Sequence, residues 1–439
     1  MRVLKLSQFL VVSVSLFAAP LFAQELTVQQ AIVESESHSP RLQKAKAAQE
    51  EVSWRKTEAL NTFLPTLQAS ASYLFDKKYV LTDVSLSPGN PPVSVPGVVP
   101  TTNFMLTASY PVFEGFAGMN RYSSASSFSS AAEKEYDWAE FQLSREVILQ
   151  FYKTLAAKNF LEVAEQNLKT LQDHLRDVNL FKKAGMSTNY DVLRVEVQVS
   201  EAESEVLNAT DNLAVARTKL AEVMGLDADQ RSLTGVWPTF NAKSATNLQK
   251  DTLSSRPDLQ ALELRSEGSK SLSKAAGSYF VPRVSLFGQY QYYNNRNERY
   301  DDWDNYREAY QVGVNLTWTL FDGMTSIARD HQSFQQAVQS EKTLVQARLR
   351  AQQDLEFWKR KYMYYGTVFK ARQNDVVKAE ESVRLARQGK KVGTRTDTDL
   401  LDAEGELFRA RAGLVNAQIG SLESLVNLEL TTGAKLLNF

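Results

Sequence analysis

The sequence predicts a mainly α chain with a β-barrel portion, organised as two structural repeats. Three observations carry this reading: an internal echo, four alternating segments of strand length, and long heptad stripes. The echo sets the unit to be explained. Tyr110-Pro-Val-Phe-Glu-Gly115 lines up with Trp318-Thr-Leu-Phe-Asp-Gly323, Gly185 with Gly393, Asp191 with Asp399 and Met224-Gly225 with Thr432-Gly433, all 208 positions apart (318 less 110). Upstream, Ser39-Pro40-Arg41-Leu42 meets Arg256-Pro257-Asp258-Leu259, and Phe63-Leu-Pro65 meets Phe280-Val-Pro282, both 217 apart (280 less 63). One length change between positions 66 and 110 separates the two registers, so each half is a unit of about 200 residues.

Residues 1–23 have the layout of a secretory signal peptide. Met1-Arg2 and Lys5 precede an apolar run from Phe9 to Phe17, and small residues follow to Ala23. That run is too short to span a bilayer. Cleavage is expected after Ala23, with Ala19 as the alternative because Leu21 stands three residues before the first cut. Removal leaves 48 basic against 51 acidic residues, a net charge of -3, so there is no basic excess for nucleic acid. Zero cysteines exclude disulfides, thiolate metal sites and a lipid anchor on cysteine. The 43% apolar content can fill several cores, but a mean hydropathy of -0.34 is too polar for a helical membrane protein.

The first repeat is placed at 24–225. Leu26 to Leu64 reads as helical, with Thr27 as N-cap and Pro40 as an interruption. Residues 66–75 then alternate, with Leu67, Ala69, Ala71, Tyr73 and Phe75 on one face and Thr66, Gln68, Ser70 and Ser72 on the other. Residues 76–102 carry Ser87-Pro-Gly-Asn-Pro-Pro92 and read as loop. A second strand at 103–113 places Phe104, Leu106, Ala108, Tyr110 and Val112 on its apolar face. A helical hairpin over 117–225 follows, turning at Lys183-Ala-Gly-Met-Ser-Thr188. Its first arm carries Leu161, Ala164, Leu168, Leu171, Leu175 and Val178; its second carries Val192, Val195, Val199, Ala202, Val206 and onward to Val223. The period of 3.5 is that of a coiled coil.

After a linker at 226–255, the second repeat at 256–433 restates this plan, and 434–439 form a tail. Strands are expected at 283–293 and 310–321, and a helical hairpin at 324–432 with Leu400, Ala403, Leu407, Ala410, Leu414 and Ala417 in its returning stripe. Each of the four strands has about the length that crosses a bilayer at a tilt, with aromatic residues towards the ends. Four strands cannot close a barrel, and unpaired edges are not tolerated in lipid. The barrel is therefore shared: two chains give eight strands, three give twelve. The helices continue from the strands, which makes the assembly a conduit from the outer membrane into the periplasm.

At this point the duplicated layout, Phe321-Asp-Gly323, and above all Val392-Gly-Thr-Arg-Thr396 followed by Asp399-Leu-Leu-Asp-Ala403 resemble the TolC family of outer membrane efflux proteins, over Leu26 to Gly433. The resemblance implies a homotrimer with a 12-stranded transmembrane β-barrel set in outer membrane lipid and continued by a periplasmic α-helical barrel. It implies export of substrates for an inner-membrane pump or ABC transporter working through a periplasmic adaptor protein, in efflux or type I secretion. Matched by motif, Asp399 and Asp402 ring the periplasmic constriction and Arg395 holds the closed state by pairing with Asp191. Residues three apart share a helix face, so three chains would present six carboxylates to one axis, an arrangement that favours cations. Gly185, Met186, Gly393 and Thr394, at the two turns, become the adaptor-contact tips. Two departures stand out: the tyrosine usual before the second glycine is replaced around Lys390, and Tyr190 stands beside Asp191 where a smaller polar residue is usual. The echo also breaks here, with Arg395 matching Ser187 and Asp402 matching Arg194.

An enzyme is not expected. No phosphate-binding loop, nucleophile elbow or metal-binding histidine pair occurs; His38, His174 and His331 stand singly, and no cofactor is implied. The alternative is a soluble periplasmic coiled-coil scaffold or adaptor, which explains the heptads and the signal but not four aromatic-edged strands.

Overall fold

The structure, a computed structural model, describes residues 25–437 apart from 77–80, 86–88, 90, 98, 241–247, 249 and 297–298. The expected signal segment and the end of the tail lie outside the described residues. Thr27 caps α1 (Val28–His38) in a reciprocal box with Gln30. Pro40 opens α2 (Pro40–Leu60) at its first turn, because a proline there surrenders only an N–H that has no helical partner. The interruption at Pro40 is thus a junction between two helices.

The sheet explains why the alternation is so strict. Strands β1 (Thr66–Tyr73), β2 (Leu81–Val84), β3 (Val93–Pro96), β4 (Thr102–Phe113), β5 (Arg283–Asn294) and β6 (Arg307–Thr317) form two sheets. The main one is antiparallel in the order β1-β4-β5-β6, so the β4–β5 pair joins the two repeats. Register puts Ala69, Leu106, Tyr290 and Tyr310 in one cross-strand row, and Leu67, Ala108, Gly288 and Val312 in another on the same face. The row between them, on the opposite face, is Gln68, Thr107, Gln289 and Gln311. One side is therefore apolar across all four strands and the other polar.

Two departures from the sequence reading are local. The stretch 76–102, expected as loop, contains the β2–β3 hairpin, in which Val84 pairs with Val93 and Leu81 with Pro96. Prolines confine β3 to an edge without preventing it. The last strand, expected at 310–321, runs Arg307–Thr317 instead. Thr317 lies opposite Arg283, the first residue of β5, so from Trp318 onward there is no strand to pair with. The Trp318 indole instead donates to the Phe280 carbonyl at 3.0 Å.

At the lower end of β4 the chain turns through two successive left-handed residues, Gly115 (φ 64) and Phe116 (φ 66), and Gly323 (φ 69) and Met324 (φ 69) repeat the device. From these kinks spring α3 (Ala117–Lys183) and, after α4 (Asn189–Met224) and α5 (Pro257–Ala276), α6 (Thr325–Lys391) and α7 (Asp397–Thr432). Helices α3 and α6 have 67 residues each, α4 and α7 have 36 each, and every boundary is offset by 208. At about 1.5 Å per residue the long pair spans roughly 100 Å. The short helices α2 and α5 accompany the upper halves of the long ones, and α4 and α7 the lower halves. Four helices thus cross each level.

The main core lies at mid-length, where Val147, Ile148, Phe151 and Tyr152 of α3 meet Leu355 and Tyr362 of α6 and Leu425 and Leu428 of α7. From the linker, Leu233, Trp237 and Phe240 pack onto it: Trp237 meets Tyr152, whose hydroxyl donates to Val236 O at 2.8 Å. There Arg145 pairs with Glu429 at 3.1 Å, both side chains at most 5% exposed, and Glu429 also receives the amides of Leu436 and Leu437. The tail is anchored by this carboxylate. Towards the tip the core thins to the heptad seam of Leu171, Val178, Val192, Val195 and Val199, which Leu401 of the other repeat joins.

Candidate functional site at the helical tip

Both hairpins end in the same construction. Gly185 (φ 75) and Gly393 (φ 73) adopt the left-handed conformation that closes a helix C-terminus. Met186 N donates to Phe181 O at 2.9 Å, and Thr394 N to Gly389 O at 2.9 Å. The next helix begins at once. Thr188 caps α4, and Asp191 Oδ2 accepts from Thr188 N (2.8 Å), Thr188 Oγ1 (2.7 Å) and Ser187 Oγ (3.2 Å). Thr396 caps α7, and Asp399 Oδ2 accepts from Thr396 N (2.8 Å) and Thr396 Oγ1 (2.9 Å). The Thr188 hydroxyl and amide hold the Asp191 carboxyl below its ordinary value, and the Thr396 amide and hydroxyl do the same for Asp399. Both aspartates are therefore ionised caps at the positive ends of helices.

This places each residue singled out in the sequence. Gly185, Met186, Gly393 and Thr394 are exposed at the two turns. Asp402 is exposed one turn beyond Asp399 on α7. Arg395 lies over Gly389, where an added Cβ would meet its Cγ at 2.5 Å, and within the protomer it does not pair with Asp191, whose carboxylate is held by Thr188 and Ser187.

Sequence reasoning missed the contacts that do join the repeats. Arg194 of α4 donates from Nη1 to Thr398 Oγ1 of α7 at 2.9 Å. Farther up, Arg411 of α7, which pairs with Glu380 of its own repeat at 2.9 Å, reaches across to Gln166 of α3 at 3.0 Å. Between α3, α6 and α7 lies a cleft of about 740 Å³ lined by residues that include Lys169, His174, Phe181, Lys390, Leu400 and Glu404. Lys390 contacts Asp397 across its own turn, as Lys182 donates to Asn189 (2.7 Å) in the first repeat. His174 was readable in one respect: it stands three after Leu171 and four before Val178, on the buried stripe.

The class of protein follows from sheet and helices together: a chain whose sheet has one apolar face and open edges, and whose helices continue that sheet for roughly 100 Å, is part of a channel-tunnel. The comparisons agree. The sequence profile described as outer membrane efflux protein matches residues 31–226 and 248–434, and the chain belongs to that family. It is 23% identical over 310 residues to the outer membrane protein TolC of Vibrio cholerae serotype O1, covering 69% of this chain and 70% of that one. It is 21% identical over 346 residues to the alkaline protease secretion protein AprF of Pseudomonas aeruginosa, covering 75% and 69%. Among solved structures it resembles the outer membrane protein VceC of Vibrio cholerae (TM-score 0.75, 18% identity, 92% of this chain and 96% of that one). It also resembles the open state of the MtrE outer membrane channel of Neisseria gonorrhoeae (TM-score 0.72, 19% identity, 92% and 88%). The protein is an outer membrane channel of the TolC type, extending into the periplasm, and not an enzyme.

Proposed function

We propose that three copies of this chain form a 12-stranded barrel continued by a 12-helix tunnel, the exit duct of a periplasm-spanning efflux or type I secretion complex. The observation that carries this reading is the open edge on β1 and on β6 beside an apolar face that runs unbroken across the sheet. Pairing β6 of one copy with β1 of the next removes both edges. Similarity to AprF, whose name assigns it to protease secretion, supports a role beside an inner-membrane transporter and a periplasmic adaptor. Gly185, Met186, Gly393 and Thr394 are the contacts offered to that adaptor.

The gate is the tip. Asp399 and Asp402 face the axis as a double carboxylate ring, and Arg395 and Asp191 link neighbouring hairpins only between copies, since within one copy they stay apart. Single-channel recording tests this: Asp399→Asn and Asp402→Asn each lower the preference for cations several-fold. Unchanged selectivity in both would remove the ring assignment. A soluble scaffold or adaptor is the competing reading; fractionation decides, because a channel stays in the outer membrane as a detergent-resistant trimer.

A further inference from the structure

His174 is a charge-capable group buried where two repeats meet. It is 5% exposed on α3, its Nε2 has no hydrogen-bond partner, and it lines the cleft bounded by α6 and α7. We propose that this contact is a proton-responsive latch, in which charging His174 separates the first repeat's hairpin from the second's and loosens the periplasmic entrance; the proposal rests on reading the tip as the gate.

The groups facing the imidazole set the sign. From α3 come Lys169, Asp173 and Asp177, from α6 Arg387, Lys390 and Lys391, and from α7 Asp397 and Glu404; α4 brings no charged group to the cleft. Burial first, and then Lys390, hold His174 below its ordinary value of 6.5, against the opposing pull of Asp397 and Asp177. With the hairpins packed as they are here, the imidazole is therefore neutral at pH 7. Once the hairpins part and water enters, the ring regains its ordinary affinity for a proton, so the open form binds more protons. Closure is fully supported above about pH 6.5 and is lost as pH falls below it. Each unit by which the closed form depresses His174 allows up to about a ten-fold rise in the open-to-closed ratio.

Glu404 works in the opposite direction. It is 7% exposed and pairs with Arg387 at 3.1 Å, while its Oε2 is unpartnered. Burial raises its carboxyl above 4.5, so the closed tip takes up a proton there as pH falls towards the carboxylate range. The window for opening accordingly lies just below pH 6.5 and is narrowed from beneath by Glu404. Asp191 and Asp399, held below 3.8, do not titrate in it.

The absence of native cysteine gives a clean reporter. Leu401→Cys places a thiol, buried when the tip is closed, in the seam between repeats. Its rate of reaction with a maleimide, divided by that of a free thiol at the same pH, reads separation of the hairpins in the full-length protein in detergent. From pH 7.5 to 5.5 the ratio should rise severalfold; His174→Gln in the same background should abolish the rise, and Glu404→Gln should extend it to lower pH. A flat ratio in the parent, or an equal rise with His174→Gln, overturns the proposal. Bilayer recording separates the two readings. A labelling ratio that rises while conductance is the same at pH 7.5 and 5.5 keeps the latch and removes the tip as the gate, whereas a flat ratio with Asp399→Asn and Asp402→Asn still lowering cation preference removes the latch and keeps the gate.

Discussion

Arg194 Nη1 and Thr398 Oγ1, 204 residues apart in sequence, meet at 2.9 Å and tie α4 of one repeat to α7 of the other at the tip. The position matching Arg194 in the second repeat is Asp402, so the duplication supplies a cation on one hairpin and an exposed carboxylate on the other. The donor of the link is thus a residue at which the echo fails.

Removing that link should loosen the tip. A hydrogen bond from a charged donor contributes about 1.5–3 kcal/mol when buried, and the half-exposed setting of Arg194 brings this nearer 1 kcal/mol. Arg194→Met and Thr398→Val should each raise the open probability in bilayer recordings about five-fold, and the double variant should add little more. Full additivity would show that the two side chains act independently.

The capping boxes should resist mild acid. Asp191 and Asp399 are held below 3.8, so the stability they lend is present above that value and lost only as pH falls through their lower folded values. Amide exchange at 188–194 and 396–402, corrected for the intrinsic pH effect, should stay slow from pH 7 to 5. Early loss of protection there would place acid sensitivity in the turns themselves.

Glycine substitutions should rank by surroundings. At Gly185, Gly323 and Gly393 nothing lies within 4 Å of an added Cβ, so alanine costs only the left-handed backbone, about 1–2 kcal/mol. At Gly115 the same Cβ would meet Val281 Cβ at 2.7 Å. Gly115→Ala should therefore lower the unfolding temperature clearly more than the other three; equal losses would mean that the strand-to-helix junction yields freely.

The buried Arg145–Glu429 pair should behave as a unit. Arg145→Leu leaves a carboxylate that is 0% exposed without its counter-charge, a loss of about 3–5 kcal/mol. Arg145→Leu with Glu429→Leu should cost much less than the sum of the single changes, as thermal unfolding would record. The Glu429 change should also free the tail, since Leu436 and Leu437 donate their amides to that side chain.

Much of this protein is periodic, and periodicity is written in sequence. Alternation alone assigns Leu106 and Tyr290 to the apolar faces of their strands, because side chains on a strand change sides at every residue. The 3.5-residue stripe likewise assigns Val192, Val195 and Val199 to a seam, and the constant offset predicts that α3 and α6 share their limits. Glycine and threonine at fixed places mark the turns and caps, because left-handed backbone and orphan N–H groups demand those residue types. Tertiary structure alone decided the rest. Where β6 stops depends on where β5 begins, and that Asp191 accepts from Thr188 and Ser187 within its own copy depends on which donors the turn brings near. That Arg194 meets Thr398, and that His174 is buried at the cleft that Lys390 also lines, follows from how two hairpins lie against each other. Contacts between residues some 200 positions apart carry no period of their own, so only the packed chain discloses them.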